Sequence, residues 1–373
     1  LIAQRITDDG PLSLAPFMAL ALGHPDHGYY QQAEPFGTAG DFITAPEISQ
    51  CFGEMIGLWL VQTWRDAGAP SPFNLVELGP GRGTLMADAL RAARIDPDFH
   101  AAAQVTLVET STRLRQIQQD RLDVPLTHLD HTGDWGQTLP AHYTLVIANE
   151  FFDALPIRQF VNTPDGWRER RLTLNPHQAE DDPFAFALTP LGIGDDKLLP
   201  AHAPEAAPGS IVEISSASHQ AMADISHWLH DQGGAALIID YGYGRDDWPQ
   251  ASPNGRLFAE TLQAVKDHKP WPVLRDPGRA DLTAHVDFHS LAHIAEQIGV
   301  RTAPLTHQGD FLQHLGIAHR LGQLLASGQD DAMKQQLEAG TIRLVDPDQM
   351  GRLFKVLAVT HPDQPPLTGL ETP

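Results

Sequence analysis

The chain has 373 residues, 42% of them apolar and 19% charged, a composition that fits neither a disordered segment nor a coiled coil. Lys and Arg number 25 against 47 Asp and Glu; the net charge of −22 repels a phosphate backbone, so non-specific nucleic-acid binding is excluded. The single cysteine, Cys51, rules out an intramolecular disulfide and a cysteine-rich zinc site, and suits a reducing compartment.

No apolar run reaches the roughly 18–20 residues that a spanning helix needs, so membrane insertion is not expected. The 19 histidines are scattered without paired-ligand spacing, and no metal site is expected. In chain order, Leu12–Leu22 (LSLAPFMALAL) has the apolar core of a signal peptide but neither a basic leader nor a small-residue cleavage site. It reads instead as a helix with Ser13 as N-cap and Pro16 in the tolerated first turn. A loop rich in glycine, proline and aromatic residues follows, from His24 to Pro46. Beyond it Ile48, Phe52, Met55, Ile56, Trp59 and Leu60 recur at helical spacing and form a core-facing stripe. Gly68–Pro72 (GAPSP) ends that pattern.

From there strands and helices alternate. Strands are predicted at Phe73–Leu78, Val105–Glu109, Pro125–Leu129 and Tyr143–Ala148, with helices at Thr84–Arg94 and Thr112–Leu122 between them. Short alternating pieces at Arg158–Asn162, Trp167–Leu174 and Phe184–Leu188 read as an antiparallel insertion. Parallel texture returns with a helix at Ala217–Gln232 and a strand at Ala235–Tyr241. A loop-rich stretch, Gly242–Leu282, precedes helices near Phe288–Ile298, Phe311–Ser327 and Ala332–Ala339. The Pro-rich tail after His361 is expected to fray. The fold class is α/β: a doubly wound, Rossmann-like sheet with a helical N-terminal extension and inserted antiparallel and helical segments.

Three elements carry chemistry. In LVELGPGRGTL (Leu75–Leu85) an apolar strand ends in Glu77, and Gly79, Gly81 and Gly83 alternate before a helix. The dinucleotide fingerprint G-x-G-x-x-G/A places its third glycine three residues after the second, where Thr84 stands here, and the extra glycine, Gly83, comes one residue early. An acid two residues before the first glycine suits the ammonium of S-adenosylmethionine and would repel a pyrophosphate. A tight strand–helix turn with no ligand is the plainer alternative. Glu109 ends the next strand, about 26 residues beyond Gly83, where a carboxylate reaches both ribose hydroxyls of a nucleoside. Adenine is then expected around Leu129–Trp135, with Asp130 or Asp134 as partners for its amino group.

The third element, ANEFFDALP (Ala148–Pro156), follows the fourth strand at the carboxyl edge, where substrate meets cofactor in open α/β sheets. Asn149–Phe151 is similar to the strand-end motif of amino-directed methyltransferases, and Asn149 is assigned to the cofactor. Glu150 and Asp153 are candidates to orient a nitrogen nucleophile, and Phe151 and Phe152 either flank the sulfonium or pack inward. Gly40–Glu47 (GDFITAPE) reads as a cofactor lid hinged at Gly40 or, equally, as a packed crossover whose Glu47 favours a helix dipole.

Together these residues resemble the MidA family of S-adenosylmethionine-dependent methyltransferases, which includes the mitochondrial complex I assembly arginine methyltransferase and its bacterial relatives. The resemblance runs from about Gly10 to Val359. It rests on HGYY (His27–Tyr30), GDFITAPEISQCFGE (Gly40–Glu54), ELGPGRGTLM (Glu77–Met86), NEFFDALPIRQF (Asn149–Phe160), IIDYGYG (Ile238–Gly244), TLQAVKDH (Thr261–His268), DLTAHVDF (Asp281–Phe288) and MGRLFKVL (Met350–Leu357). It implies an N-terminal extension over residues 1–70, a class I methyltransferase domain over 71–360 with insertions at about 157–210 and 245–330, and a flexible tail at 361–373.

The resemblance also implies methylation of an arginine on a client protein, a core complex I subunit in mitochondria. The compartment implied is the bacterial cytoplasm, or the mitochondrial matrix in a eukaryote. A guanidinium, with a pKa above about 12, is a poor nucleophile, so carboxylates must grip it bidentately and aim one nitrogen. Glu150 and Glu213 are the expected clamp. His285, in TAHVDF, resembles the Thr-His-Trp loop in which a histidine orients a glutamate. Plainer roles are a helix-proximal cap for Glu213, a structural histidine for His285 and a partner of nearby amides for Glu150. Two rival functions remain: a non-catalytic assembly chaperone that retains the cofactor fold, and a small-molecule methyltransferase.

Overall fold

The computed structural model describes residues 1–32, 44–179, 182–200, 203, 206–244, 247, 259–328 and 330–370. The chain divides into two compact units that alternate along the sequence. The first is Leu1–Phe42, Asp153–His219 and Tyr243–Val286; the second is Ile43–Phe152, Gln220–Gly242 and Asp287–Pro373.

The second unit is built on a mixed sheet. Its strands lie in the order Leu126–Leu129, Ala103–Val108, Phe73–Leu78, Thr144–Asn149, Gly234–Tyr243 and Phe354–Thr360. The first five are mutually parallel and the last is antiparallel to its neighbour. The central strands Phe73–Leu78 and Thr144–Asn149 and the strand Phe354–Thr360 are buried throughout, as strands covered on both faces require, whereas Leu126–Leu129 at the edge is partly exposed. The Phe73–Leu78 strand is buried at every position. From that central strand the chain builds outward twice, then returns to pair Thr144–Asn149 on its other side. The carboxyl ends of the two strands therefore flank the topological switch point.

Helices Gln50–Asp66 and Thr84–Ala93 cover one core, with Phe52, Met55, Ile56 and Trp59 packed in a cluster with Leu75, Leu85, Met86 and Leu145. Each such side chain contributes about 1.5–3 kcal/mol on burial. Close approach of the two helices depends on Gly57, where an added Cβ would stand 2.4 Å from the Ala89 carbonyl oxygen.

The structure departs from the sequence reading in four places of this unit. The helix expected at Phe311–Ser327 is two helices, Gln308–His314 and Ile317–Ala326, because Gly316 at φ +89° turns the chain between them. The helix at Ala332–Ala339 extends over Asp331–Val345. Phe354–Thr360 is a fully buried strand. The tail does not fray through residue 370: Leu367 and Leu370 join the core, and the Gln364 side chain accepts from Tyr143 Oη (2.9 Å) and donates to the Thr63 carbonyl (3.4 Å).

In the first unit an antiparallel sheet runs Leu12–Ser13, Gly166–Ala179, Arg158–Thr163, Ile211–Ile214, with Asp182–Pro190 also paired to Gly166–Ala179. Its core gathers Leu14, Phe17 and Met18 of the helix Leu14–Gly23 with Leu172, Phe184, Leu262 and Leu282. Ser13 occupies the N-cap position, but its hydroxyl accepts no helix N–H and donates instead to Glu169 Oε1 (2.8 Å). Glu169 is fully buried and also takes Arg158 and Arg171, while Arg158 grips Asp195 with two bonds of 2.8 Å. The charge-assisted bond to the buried carboxylate turns the Ser13 side chain toward Glu169. The stretch read as loop holds a three-stranded antiparallel sheet, Lys269–Trp271, Gln263–Lys266 and Asp281–Thr283.

Gly57→Ala is expected to destabilise the protein by about 1–3 kcal/mol through overpacking, although alanine is the better helix former by about 1 kcal/mol. Thermal unfolding checks the sign, and an unchanged or raised Tm would show that the two helices separate freely.

Candidate cofactor site

The turn after the central strand is shaped by its glycines. Gly79, Gly81 and Gly83 have φ of +60°, +52° and +74°, a region that L side chains rarely adopt. The Gly79 amide donates to the Val108 carbonyl (3.0 Å) and Gly83 to Pro80 (2.8 Å), which fixes the loop against the neighbouring strand. A Cβ at Gly79 would stand 3.0 Å from Phe151 Cδ2, and one at Gly83 would stand 3.4 Å from Gln118 Cγ.

Beside this loop lie polar groups in need of a partner. Glu77 is 3% exposed, its Oε2 has no hydrogen-bond partner among the described residues, and burial lifts its pKa to about 8. Asn149 Oδ1 is likewise buried and unsatisfied. A buried carboxylate without a donor is costly, and an ammonium group of a ligand would relieve that cost. At the end of Ala103–Val108, the Glu109 carboxylate accepts from the Ser111 amide (2.7 Å). Burial raises its pKa to about 7, offset by Ser111, Gln118 and Arg115. Asp130 is exposed and pairs with Arg115 at 2.6 Å, whereas Asp134 sits in the short 3-10 turn Thr132–Asp134. A positively charged amino acid joined to a nucleoside fits this arrangement. Glu77 and Asn149 would hold the amino acid end of S-adenosylmethionine, the glycine loop would pass beneath it, and Glu109 would take the ribose.

At the adjoining strand end Glu150 has φ +50°, a strained position for a residue with a side chain. The conformation is held from three sides. The Glu150 amide donates to the Ile239 carbonyl (2.9 Å), and Glu150 Oε1 accepts from the Ala45 amide (3.0 Å) and from Asn149 Nδ2 (3.3 Å). The third hold is Asp240, which is fully buried and accepts from the Phe152 amide (3.0 Å) and the Tyr241 amide (2.9 Å). Phe152 packs inward, edge-on to Phe151 at 5.2 Å, while Phe151 lies against Gly79. Glu47 accepts from Thr84 Oγ1 (2.5 Å), so the described end of the Gly40–Glu47 segment is packed onto the helix after the glycine loop; Gly40 lies outside the described residues.

Glu77, Gly79, Gly81, Gly83, Glu109, Asn149 and Glu150 thus share one edge of the second unit's sheet. Glu213, His285 and Asp153 belong to the first unit. Both Glu213 oxygens are engaged there, by the Thr261 amide and hydroxyl, the Leu262 amide (3.1 Å) and Gln159 Nε2 (2.7 Å). Burial raises the Glu213 pKa and these donors offset the rise. The His285 amide donates to Thr261 Oγ1 (2.8 Å), so Thr261 joins the two. The backbone carbonyl of Asp153 accepts from the Ala284 amide (2.9 Å). Sequence reasoning missed Asp240, Gln118 and the Ala45 amide. For Asp240 a signal existed, an acid ending the apolar run GAALIID.

Residues 55–306 match the sequence profile of a family of S-adenosyl-L-methionine-dependent methyltransferases. The chain belongs to that family. Among its relatives are the mitochondrial protein arginine methyltransferase NDUFAF7 of Xenopus tropicalis, 34% identical over 98% of this chain and 87% of that protein, and the NDUFAF7 homolog of Drosophila melanogaster, 35% identical over 99% and 87%. A solved methyltransferase-like structure of the COG1565 superfamily from Burkholderia thailandensis, bound to S-adenosyl-homocysteine, aligns over 100% of this chain and 92% of its own with a TM-score of 0.80 at 24% identity. The fold is that of a Rossmann-like methyltransferase, and the methyltransferase uses S-adenosylmethionine.

Gly79→Val is expected to abolish S-adenosylmethionine binding while the sheet still folds, since a β-branched residue at φ +60° both strains the turn and meets Phe151. Calorimetry showing unchanged affinity would remove this loop from the site. A second expectation follows from Glu77, whose folded pKa of about 8 lies above the 4.5 of a solvated glutamate. Between those values the native state binds more protons than the unfolded state. The contribution to stability is therefore complete below about pH 4.5 and is lost as pH rises through about 8, by an amount on the order of a few kcal/mol. Urea unfolding of the cofactor-free protein should show this decline, and Glu77→Gln should lack it. Parallel pH profiles for the two proteins would mean that the carboxyl is solvated.

Proposed function

We propose that the methyltransferase acts on an arginine guanidinium of a protein client, with a core complex I subunit as the client that the MidA resemblance implies. The observation that carries the reading is Glu150, a carboxylate held in a strained conformation at the strand end next to the cofactor loop. Near-full-length relatives named as protein arginine methyltransferases support it.

S-adenosylmethionine, when bound, supplies a methyl group on a sulfonium that a nitrogen lone pair displaces. The protein has to make that lone pair available. A guanidinium spreads its charge over three nitrogens, and a carboxylate paired with two of them draws the positive charge away from the third. Glu150 is assigned this grip. Its backbone is tied to Ile239 and its Oε1 to Ala45, so the carboxylate is placed before the client arrives and little orientation entropy is lost on binding. Glu213 and His285 are assigned a supporting part: with its oxygens given to Thr261, Leu262 and Gln159, Glu213 sets the segment ahead of Gln263–Lys266, and Thr261 carries that hold to the His285 backbone.

Glu150→Gln keeps the size and the acceptor for Ala45 but removes the charge. Methyl transfer to an arginine peptide is expected to fall by about 10² or more, with S-adenosylmethionine affinity changed by less than about threefold. Lysine in the same peptide should be a poor acceptor, because a point-like ammonium does not engage a carboxylate through a planar fork. Radiolabelled transfer assays and calorimetry read both quantities. Wild-type rates in the variant would take Glu150 out of the chemistry. A wild-type protein that binds the cofactor yet labels no arginine in peptides or lysate would favour the binding-only chaperone, or a small-molecule acceptor if free amines are labelled.

A further inference from the structure

The helix Thr112–Arg121 is almost wholly polar (TRLRQIQQDR), and only two of its residues are buried, Leu114 and Gln118. With Leu122 beyond its end they form a stripe at i, i+4, i+8 that faces the sheet. An aliphatic side chain is the expected occupant of the middle position. Gln118 is instead an amide with no solvent exposure, and a buried amide is tolerated only when its groups are satisfied.

They are satisfied by three different parts of the cofactor site. Gln118 Nε2 donates to the carbonyl of Gly81, the middle glycine of the loop, at 2.7 Å. The Glu109 carboxylate at the end of the second strand also feels this amide, which lowers its pKa. Gln118 Oε1 accepts from His128 Nε2 at 2.9 Å, on the third strand. With Nε2 turned to the Gly81 carbonyl, Oε1 faces the histidine, so the amide's orientation is fixed by its neighbours. Its Cγ also lies where a Cβ at Gly83 would touch. One side chain therefore reaches the loop under the amino acid end of the cofactor, the carboxylate assigned to the ribose, and the strand leading to the adenine side.

We propose that Gln118, braced by His128, is a positioning residue that sets the distance and orientation between the glycine loop and Glu109, and so fixes the shape of the S-adenosylmethionine pocket. It touches the loop and Glu109, not the reacting atoms. Loss of the tie should act on cofactor binding and leave turnover intact once the cofactor is saturating.

The test is Gln118→Met, which keeps length and volume in the buried stripe but removes both donors and the acceptor. S-adenosylmethionine Kd, by calorimetry, is expected to rise tenfold or more, and KM for the cofactor in parallel. The kcat at saturating cofactor should stay within threefold, and some loss of Tm is expected because the Gly81 carbonyl and His128 lose a buried partner. His128→Ala tests the brace without altering Gln118 and is expected to weaken binding severalfold, with His128→Gln, which restores an N–H donor, recovering most of the loss. A purely structural amide would leave the Kd of the folded fraction at the wild-type value whatever the change in Tm; that result overturns the proposal. If Gln118→Met does not fold, the His128 pair decides alone, and equal affinity in His128→Ala and wild type overturns it. The positioning role rests on the cofactor assignment, but the two fail differently: absence of S-adenosylmethionine binding by the wild type would refute the cofactor site itself.

Discussion

A carboxylate buried at the end of the central strand, with one oxygen unsatisfied by protein, governs how the rest of this site is organised. Glu77 is there because the strand order reverses beside it, leaving a crevice between the carboxyl ends of Phe73–Leu78 and Thr144–Asn149. Without a ligand the group avoids its charge by holding a proton, as its raised pKa records. A cationic ligand reverses that balance. Charge selection and crevice thus come from the same topological fact, and the glycines supply only the room to approach.

The elements around the crevice are fastened to one another more than to solvent. Glu150 is tied to Ala45 and Ile239, Phe152 to Asp240, and Glu47 to Thr84. Strain at Glu150 persists because these ties over-determine it, which is the usual setting for a residue held in a sparsely populated conformation. Glu150 and the glycine loop are thus each braced by their own ties, to Ala45 and Ile239 in one case and to Val108 in the other.

Legibility in the sequence followed locality. The glycine loop, Glu77 and Glu109 lie on a turn and two strand ends that are short stretches of chain, so residue type and spacing suffice to single them out. Gln118 and Asp240 act across sequence gaps, and a single glutamine in a polar helix carries no local sign of burial. The sheet at Gln263–Thr283 was hidden for another reason. Its tight hairpin turns through Asp267 and His268, both at positive φ, where Asn-Gly would have announced it. The break at Gly316 lay inside an uninterrupted helical pattern, and the tail looked frayed because its two anchoring leucines, Leu367 and Leu370, are set among prolines and turn residues.

The alternation of the chain between its two units bears on how the protein is made. Leu14, Phe17 and Met18 leave the ribosome early, yet the side chains they pack with, from Leu172 to Leu282, are synthesised much later. At roughly 5–20 residues per second that interval lasts on the order of ten seconds or more, during which an apolar helix has no native partner. Synthesis from the N-terminus cannot complete one unit before starting the other, so the nascent chain carries an exposed sticky segment that the finished enzyme never shows. Slowing of translation between these segments, or depletion of chaperones that hold extended apolar helices, would therefore lower the yield of active enzyme without touching a single residue of its active site.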